Sequence, residues 1–301
     1  MSIRLTRREF AVAGGAALLP WRGAAETAAP SGELLARPIP SSGERLPAVG
    51  LGTAMVFDSN DNATRQKASA VLQALIAAGG RLIDTSSVYG DAEAVLGETV
   101  VPAGLRDNLF IATKLEASDA AELKRSQTRL QMQSFDLLQF HNVHDPQQSL
   151  GQFKDWKAQG VCRYIGITST RHADFGAIEA VLLREKPDFV QIDYSLDDRE
   201  AERRVLPAAA EVKAAVLTAL PFGRARLLRA VRDKEIPDWA RPFAETWPQF
   251  FLKYLLSDPR ITAVIPGTAN PIHMTDNAGA MRGPLPDPDQ RKQMEAFAAT
   301  L

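Results

Sequence analysis

Residues 109–114 read Leu-Phe-Ile-Ala-Thr-Lys, a short apolar run that ends on a charged side chain. Runs that are apolar on both faces are what buried parallel strands require. Seven further runs of this kind occur, at 49–52, 81–83, 136–140, 164–167, 189–192, 215–217 and 262–265. Longer stretches between them, such as 63–78 and 175–184, carry the apolar periodicity of helices. Strands that alternate with helices in this way indicate parallel crossover units.

The number of these units favours a closed barrel over an open sheet. No glycine-rich dinucleotide fingerprint follows the first strand, and no low-complexity linker interrupts residues 50–285. We therefore predict an α/β fold, a (β/α)8 TIM barrel that forms a single domain over residues 33–301. The first part of that domain, residues 33–50, is punctuated by proline and glycine, which predicts a turn-rich opening segment such as a hairpin.

The first 29 residues differ in composition from the rest of the chain. A basic start with Arg7 and Arg8 precedes an apolar run over 10–19, which is the layout of a signal peptide. The string Thr6-Arg7-Arg8-Glu9-Phe10 resembles the twin-arginine export signal. It predicts that the Tat machinery exports the protein to the periplasm. The apolar run is too short for a stable membrane span, so we expect none in the mature protein.

Charge and cysteine content narrow the class of protein further. The formal net charge is −1, with no basic patch that would hold a phosphate polymer, so nucleic acid is not an expected partner. Cys162 is the single cysteine, which excludes an intrachain disulfide. A chain without disulfides suits folding in a reducing compartment before export.

Polar side chains stand directly after several predicted strands. Asp84, Lys114 and His141 each follow an apolar run, and a barrel of this kind places its reacting groups at the carboxyl ends of its strands. Adjacent strands lie about 4.8 Å apart, so these three side chains are expected to meet at the mouth of the barrel. Tyr89 lies in the loop that leaves the second strand, where it can hang over the same mouth.

This combination of side chains suits proton transfer. An ammonium close to a phenol favours the phenolate, and a carboxylate beside the lysine keeps the lysine charged. We therefore expect Tyr89 to give up a proton near neutral pH. His141 is placed to orient or polarise a substrate carbonyl.

Three segments resemble, in order and spacing, the motifs of the aldo-keto reductases: 84–90 (Asp-Thr-Ser-Ser-Val-Tyr-Gly), 112–114 (Ala-Thr-Lys) and 139–141 (Gln-Phe-His). The resemblance implies an NAD(P)H-dependent enzyme that reduces aldehyde or ketone carbonyls to alcohols. By this resemblance Tyr89 is the general acid, Lys114 and Asp84 tune it, and His141 orients the carbonyl. Relatives that reduce activated double bonds carry a glutamate at the histidine position, so the chain resembles the carbonyl reducers.

The resemblance also implies a set of cofactor contacts in the loops that follow the strands. These are Gly52, Thr53, Asp84, Ser169, Gln191, Pro221, Phe222, Arg224, Gly267, Thr268, His273, Asp276 and Asn277. NADP(H) is expected over NAD(H), on its frequency in the family, although Gly267 and His273 stand where relatives commonly place basic residues. Ala219 stands where relatives often stack a tyrosine on the nicotinamide.

Two other functions are compatible with parts of the sequence. His141 and His144 have a His-x-x-His spacing, and metal-dependent hydrolases and isomerases also use barrels. Positions three apart on a strand face opposite sides, so both histidines bind one metal only if a loop bends between them. A barrel that binds cofactor without catalysis is the second alternative. The reductase interpretation implies no bound metal.

Overall fold

A computed structural model describes residues 32–301 of the protein. Its strands are β1 (Ala36–Pro38), β2 (Arg45–Pro47), β3 (Leu51–Gly52), β4 (Leu82–Asp84), β5 (Phe110–Leu115), β6 (Phe135–Phe140), β7 (Cys162–Ser169), β8 (Phe189–Asp193), β9 (Ala215–Ala219) and β10 (Ile261–Val264). Its helices are α1 (Asn62–Ala77), α2 (Ala92–Val100), α3 (Ala120–Leu130), α4 (Gly151–Ala158), α5 (Phe175–Glu185), α6 (Val205–Val212), α7 (Arg226–Ala230), α8 (Trp247–Leu256), α9 (Pro271–Gly279) and α10 (Pro288–Ala298).

Strands β3 to β10 form one parallel sheet in sequential order. The sheet closes on itself, since parallel bridges join Val49 to Val264 and Gly52 to Gly267. The backbone N–H of Val264 also donates to the carbonyl of Ala48 over 2.9 Å. The predicted (β/α)8 barrel of a single domain is thereby confirmed, and each of the eight predicted runs overlaps one of its strands.

Side chains alternate between the inside of the barrel and the outer layer of helices, as a pleated strand dictates. Leu82, Phe110, Leu137, Phe189 and Leu217 belong to one buried cluster that fills the barrel. Their sequence neighbours, such as Ile83 and Val190, belong to the larger cluster that includes the helices. The core is thus divided into two layers on either side of the sheet.

The opening segment forms the predicted hairpin. Strands β1 and β2 pair antiparallel, from Ala36 opposite Pro47 to Pro38 opposite Arg45. Ile39 and Leu46 belong to the cluster inside the barrel, together with the first residues of β5 and β8. The hairpin therefore covers the amino-terminal end of the barrel, and its carboxyl-terminal end remains for the loops that carry polar residues.

The predicted export signal, residues 1–29, lies outside the described residues. Within 32–301, no helix combines the length and the apolar character that crossing a membrane demands. Cys162 is buried at the start of β7, where burial raises the pKa of its thiol to about 12. The thiol is therefore held in its unreactive protonated form.

Helices α2 and α3 approach each other closely at Gly97. A β-carbon at this position would lie 2.9 Å from the carbonyl carbon of Leu130 and still closer to the carbonyl oxygen of Arg129. We expect Gly97→Ala to lower the free energy of unfolding by about 1–3 kcal/mol, because the helices must move apart. Gly151→Ala is the matched control, since its nearest neighbour is the Ser149 Oγ at 3.4 Å. Urea unfolding that gave both variants the same stability would contradict this account of the packing.

Candidate active site

A buried ion pair lies at the carboxyl-terminal end of the barrel. The Lys114 Nζ donates to the Asp84 Oδ2 over 2.6 Å and to the Thr85 carbonyl over 2.8 Å. Lys114 and Asp84 are 1% and 2% exposed. Asp84 is the last residue of β4 that faces the interior of the barrel, and it lies opposite Ala112 of β5. Lys114 follows Ala112 by two residues, so it is the last interior residue of β5.

The charges of this pair oppose the effect of burial on each partner. Burial by itself would lower the pKa of Lys114, but the negative charge of Asp84 and that of an ionised Tyr89 raise it above its ordinary value. Burial raises the pKa of Asp84, and this rise is opposed by the charge of Lys114 and by the hydrogen bonds that Asp84 accepts from three side chains. Lys114 therefore stays protonated at the carboxyl-terminal end of the barrel.

Tyr89 reaches the ammonium from the loop after β4. The Lys114 Nζ lies 4.8 Å from the centroid of the Tyr89 ring. The loop is tied to the end of β5, since the Ser87 N–H donates to the Lys114 carbonyl over 3.1 Å, and the Tyr89 N–H donates to the Ser86 carbonyl. An ammonium has three N–H groups and Asp84 and Thr85 use two, which leaves one directed away from both.

His141 completes the group that the sequence predicted. Its ring packs edge-on against Tyr89, with the ring centroids 5.8 Å apart. Its Nδ1 is buried without a hydrogen-bond partner among the described residues, 4.0 Å from the Glu116 carboxylate. Burial, followed by the charge of Lys114, lowers the pKa of His141 to about 4. The structure thus brings Asp84, Lys114, Tyr89 and His141 together, with the histidine neutral.

One member of the buried network was not predicted from the sequence. Gln139 is fully buried, and its Nε2 donates to the Asp84 Oδ1 over 3.4 Å and to the Gln191 Oε1 over 3.0 Å. The sequence signal that could have revealed Gln139 is a polar residue at an interior position of β6, two residues before His141.

The ends of β7 and β8 hold the residues expected near the nicotinamide. Gln191 is buried and donates to the Asp84 Oδ2 over 3.2 Å, so it joins the buried hydrogen-bond network directly. The Ser169 hydroxyl is committed elsewhere, as it donates to the Asp174 carboxylate over 2.7 Å. Thr168 is the register partner of Gln191, and its Oγ1 accepts from the Asn142 N–H. The sequence analysis did not predict Thr168 as a cofactor contact.

The remaining residues that were expected to contact the cofactor lie in or next to the loops after β3, β9 and β10. Thr53 is buried and donates through its hydroxyl to the Asp84 carbonyl. Pro221 is buried and Phe222 is half-buried beyond β9, whereas Arg224 is exposed. Gly267 is exposed, and it pairs with Gly52 in one of the two bridges that close the barrel.

The segment that begins α9 is partly committed to bonds within the chain. Asn270 caps the helix by accepting from the Ile272 N–H, and the Thr268 hydroxyl accepts from the Asn270 N–H. Asp276 accepts from Thr246 and Gln249 at the start of α8. Beside it on the same helix, His273 is exposed and Asn277 is buried.

The histidines of the metal hypothesis do not belong to a group of three possible metal ligands among the described residues. Among residues 32–301, the group of three side chains placed to share an ion consists of His172, Asp193 and Asp198. His144 instead lies 2.8 Å from the Asp174 carboxylate, and it is half exposed. The arrangement at His141 therefore does not support a metal-dependent hydrolase.

The sequence model of the Aldo/keto reductase family matches residues 48–298. The chain belongs to this family. It is accordingly an NAD(P)H-dependent carbonyl oxidoreductase, as the resemblance predicted.

Relatives of this aldo/keto reductase cover most of its length. It is 26% identical to methylglyoxal reductase YeaE of Escherichia coli over 84% of this chain and 92% of the relative. An aldo-keto reductase from Klebsiella pneumoniae in complex with NADPH superposes with a TM-score of 0.75, at 25% identity, over 89% of this chain and 95% of that one. A Klebsiella pneumoniae structure with NADP and acetate has a TM-score of 0.73 at 26% identity, over 85% and 93% of the two chains.

The lowered pKa of His141 has a measurable consequence for stability. Its folded value of about 4 lies below its ordinary 6.5, so the unfolded chain binds this proton more readily. The folded reductase therefore loses stability as the pH falls from 6.5 to 4. We expect His141→Gln to remove up to about 3 kcal/mol of that loss. Urea unfolding at pH 7 and at pH 4.5 measures the difference.

Asp193 provides a control of opposite sign. Burial, followed by the charge of Asp198, raises the pKa of Asp193 to about 6, so its contribution to stability grows as the pH falls. Asp193→Asn is thus expected to increase the acid-dependent loss that His141→Gln reduces. Equal pH dependence in the wild type and His141→Gln would show that the histidine titrates normally.

Proposed function

We propose that this reductase protonates the substrate oxygen through the Tyr89 hydroxyl. The observation that carries the proposal is the buried Lys114 ammonium, held by Asp84 and facing the Tyr89 ring at 4.8 Å. A positive charge in a site shielded from water strongly stabilises the tyrosinate that remains after proton transfer. Bound NAD(P)H supplies the hydride that reaches the carbonyl carbon, and the tyrosine proton completes the alcohol.

His141 orients the carbonyl in this proposal. With a pKa of about 4, its imidazole is neutral at physiological pH, so it offers one N–H donor and does not compete with Tyr89 as an acid. Its ring packs edge-on against the Tyr89 ring, so the two groups lie on the same side of the mouth. A carbonyl oxygen that accepts from both groups would be held in one direction.

The cofactor proposed for this site is NADP(H). Arg224 is exposed and forms no ion pair with any residue between 32 and 301, so its charge is available to a pyrophosphate. The start of α9 presents backbone N–H groups, which favour an anionic group. Ala219 is small, and it leaves space rather than an aromatic platform next to Asp193. Solved relatives with NADPH and NADP support the choice of cofactor.

We place the substrate in a cavity of about 390 Å³ that His141 lines. Its lining is mostly polar and includes two carboxylates and no lysine or arginine: Glu116, Phe140, His141, Asn142, His144, Asp145 and Gln148. Such a lining favours small polar aldehydes and ketones over carboxylates. The similarity to a methylglyoxal reductase supports small carbonyl substrates.

Replacing the proposed acid tests the mechanism. We expect Tyr89→Phe to lower the rate of NADPH oxidation by about 10²- to 10⁴-fold, because general acid catalysis contributes about this much. The assay follows absorbance with an aromatic aldehyde and with methylglyoxal as substrates. NADPH should still be bound, as measured by fluorescence, because the variant keeps the ring. A wild-type protein that binds NADPH but transfers no hydride would instead support the non-catalytic barrel.

We also propose that the Tat machinery exports the folded reductase to the periplasm. The support is the string Thr6-Arg7-Arg8-Glu9-Phe10, the apolar run that follows it and a domain without disulfides.

Replacing both arginines of the pair by lysine tests the export route. We expect the Arg7→Lys/Arg8→Lys variant to stay in the cytoplasm, because it keeps the charge but loses the paired guanidinium groups. Cell fractionation with an antibody to the mature domain measures the distribution. Arg4→Lys is the matched control and should be exported normally. Normal export of the double variant would exclude the twin-arginine route.

A further inference from the structure

Two buried glutamines link the catalytic carboxylate to the side of the barrel expected to hold the nicotinamide. Gln139 on β6 and Gln191 on β8 bond to each other over 3.0 Å, and both bond to Asp84. We infer that Gln139 is a positioning residue, which fixes the direction of the Gln191 amide and of the Asp84 carboxylate together. The inference rests on the proposed function only in that Gln191 faces the cofactor.

The direction of both amides follows from the chemistry of Asp84. An ionised carboxylate accepts hydrogen bonds and donates none, so each glutamine must turn its NH₂ group towards it. The Gln191 Nε2 meets the Asp84 Oδ2, which leaves the Gln191 Oε1 to face Gln139. Gln139 can satisfy that oxygen only with its own Nε2. Rotating either amide by 180° would set oxygen against oxygen in the interior.

This arrangement is unfavourable for Gln139 itself. Its Oε1 is buried and has no partner among the described residues. Leaving a buried acceptor without a partner costs more free energy than a normal hydrogen bond contributes. Packing alone would be served better by an apolar side chain, so the value of Gln139 lies in its two NH₂ bonds.

The backbone is also adapted to this link. Gly166 on β7 is the register partner of Gln139, and β7 separates the two strands that carry the glutamines. A β-carbon at Gly166 would lie 3.0 Å from the Gln139 Cγ. The absence of a side chain there lets Gln139 cross β7 to reach Gln191.

The network leaves Gln191 with one N–H and one lone pair unused. The nicotinamide carboxamide has an oxygen that accepts hydrogen bonds and an NH₂ group that donates them. A Gln191 amide held in a single direction can pair with both groups. Without Gln139 the Gln191 Oε1 loses its donor, so the bond to Asp84 alone orients the amide, and Asp84 loses one of the donors that favour its ionised form. Cofactor affinity and the acidic limb of the rate profile should therefore change together.

Gln139→Met tests the inference, because methionine has a similar volume and no hydrogen-bonding NH₂ group. We expect about five- to tenfold weaker NADPH binding by fluorescence titration, as the loss of one hydrogen bond predicts. The acidic limb of the kcat/KM profile should move to higher pH. Gln191→Met should weaken NADPH binding similarly, and the double variant should bind no more weakly than either single variant.

Thr218→Val is the matched control. Thr218 is a fully buried polar residue of β9 whose hydroxyl also has no partner among the described residues, and it lies outside the network. We expect this variant to keep the NADPH affinity and pH profile of the wild type. If Gln139→Met does not fold, Gln139→Asn keeps the amide but is one methylene too short to span β7, and the same changes are expected.

The side-chain amide signal of Gln191 in NMR spectra of the cofactor-free protein separates this inference from the proposed function. Gln139→Met should shift that signal, because the Gln191 Oε1 loses its donor while the Gln191 NH₂ group keeps its bond to Asp84, whether or not the protein binds NADPH. An unmoved signal, or unchanged affinity and pH profile in an active enzyme, would overturn the inference. A wild type that neither binds nor oxidises NADPH would instead refute the proposed function, and the amide signal would still decide the role of Gln139.

Discussion

The contact between Lys114 and Asp84, 2.6 Å long and almost fully buried, is the constraint around which the mouth of the barrel is organised. Removing two charges from water is costly, and their attraction compensates only when further hydrogen bonds satisfy the remaining donors and acceptors. The Thr85 carbonyl meets this need for the ammonium, and Gln139 and Gln191 meet it for the carboxylate. Tyr89 is the next group within range of the charge.

The barrel supplies the dry surroundings that this pair needs. Within each of four strands, an apolar interior residue is followed two positions later by a polar one, as in Leu82 and Asp84 or Leu137 and Gln139. An apolar layer, closed below by the β1–β2 hairpin, thus supports a polar layer at the carboxyl end. Fixed charges above such a floor act more strongly than they would in water.

Burial by itself lowers the pKa of two basic side chains, Lys114 and His141, but their outcomes differ. Lys114 has a carboxylate partner and stays charged, whereas His141 has no close partner for its Nδ1 and becomes neutral. One group can therefore stabilise a developing tyrosinate while the other only orients a carbonyl. In the proposed mechanism, this division of roles lets neighbouring basic residues serve a single proton transfer from Tyr89.

Local sequence determined the eight strands, their order and the polar residues at their ends, because apolar runs and strand-to-helix alternation are properties of neighbouring residues. The sequence also predicted that Asp84, Tyr89, Lys114 and His141 form one catalytic group. The bridges that close the barrel, the link from Gln139 to Gln191 and the bond from Ser169 to Asp174 were decided by the tertiary structure. A pattern in the chain tells which face a side chain takes. Which partner it meets depends on how distant strands are staggered when the sheet closes.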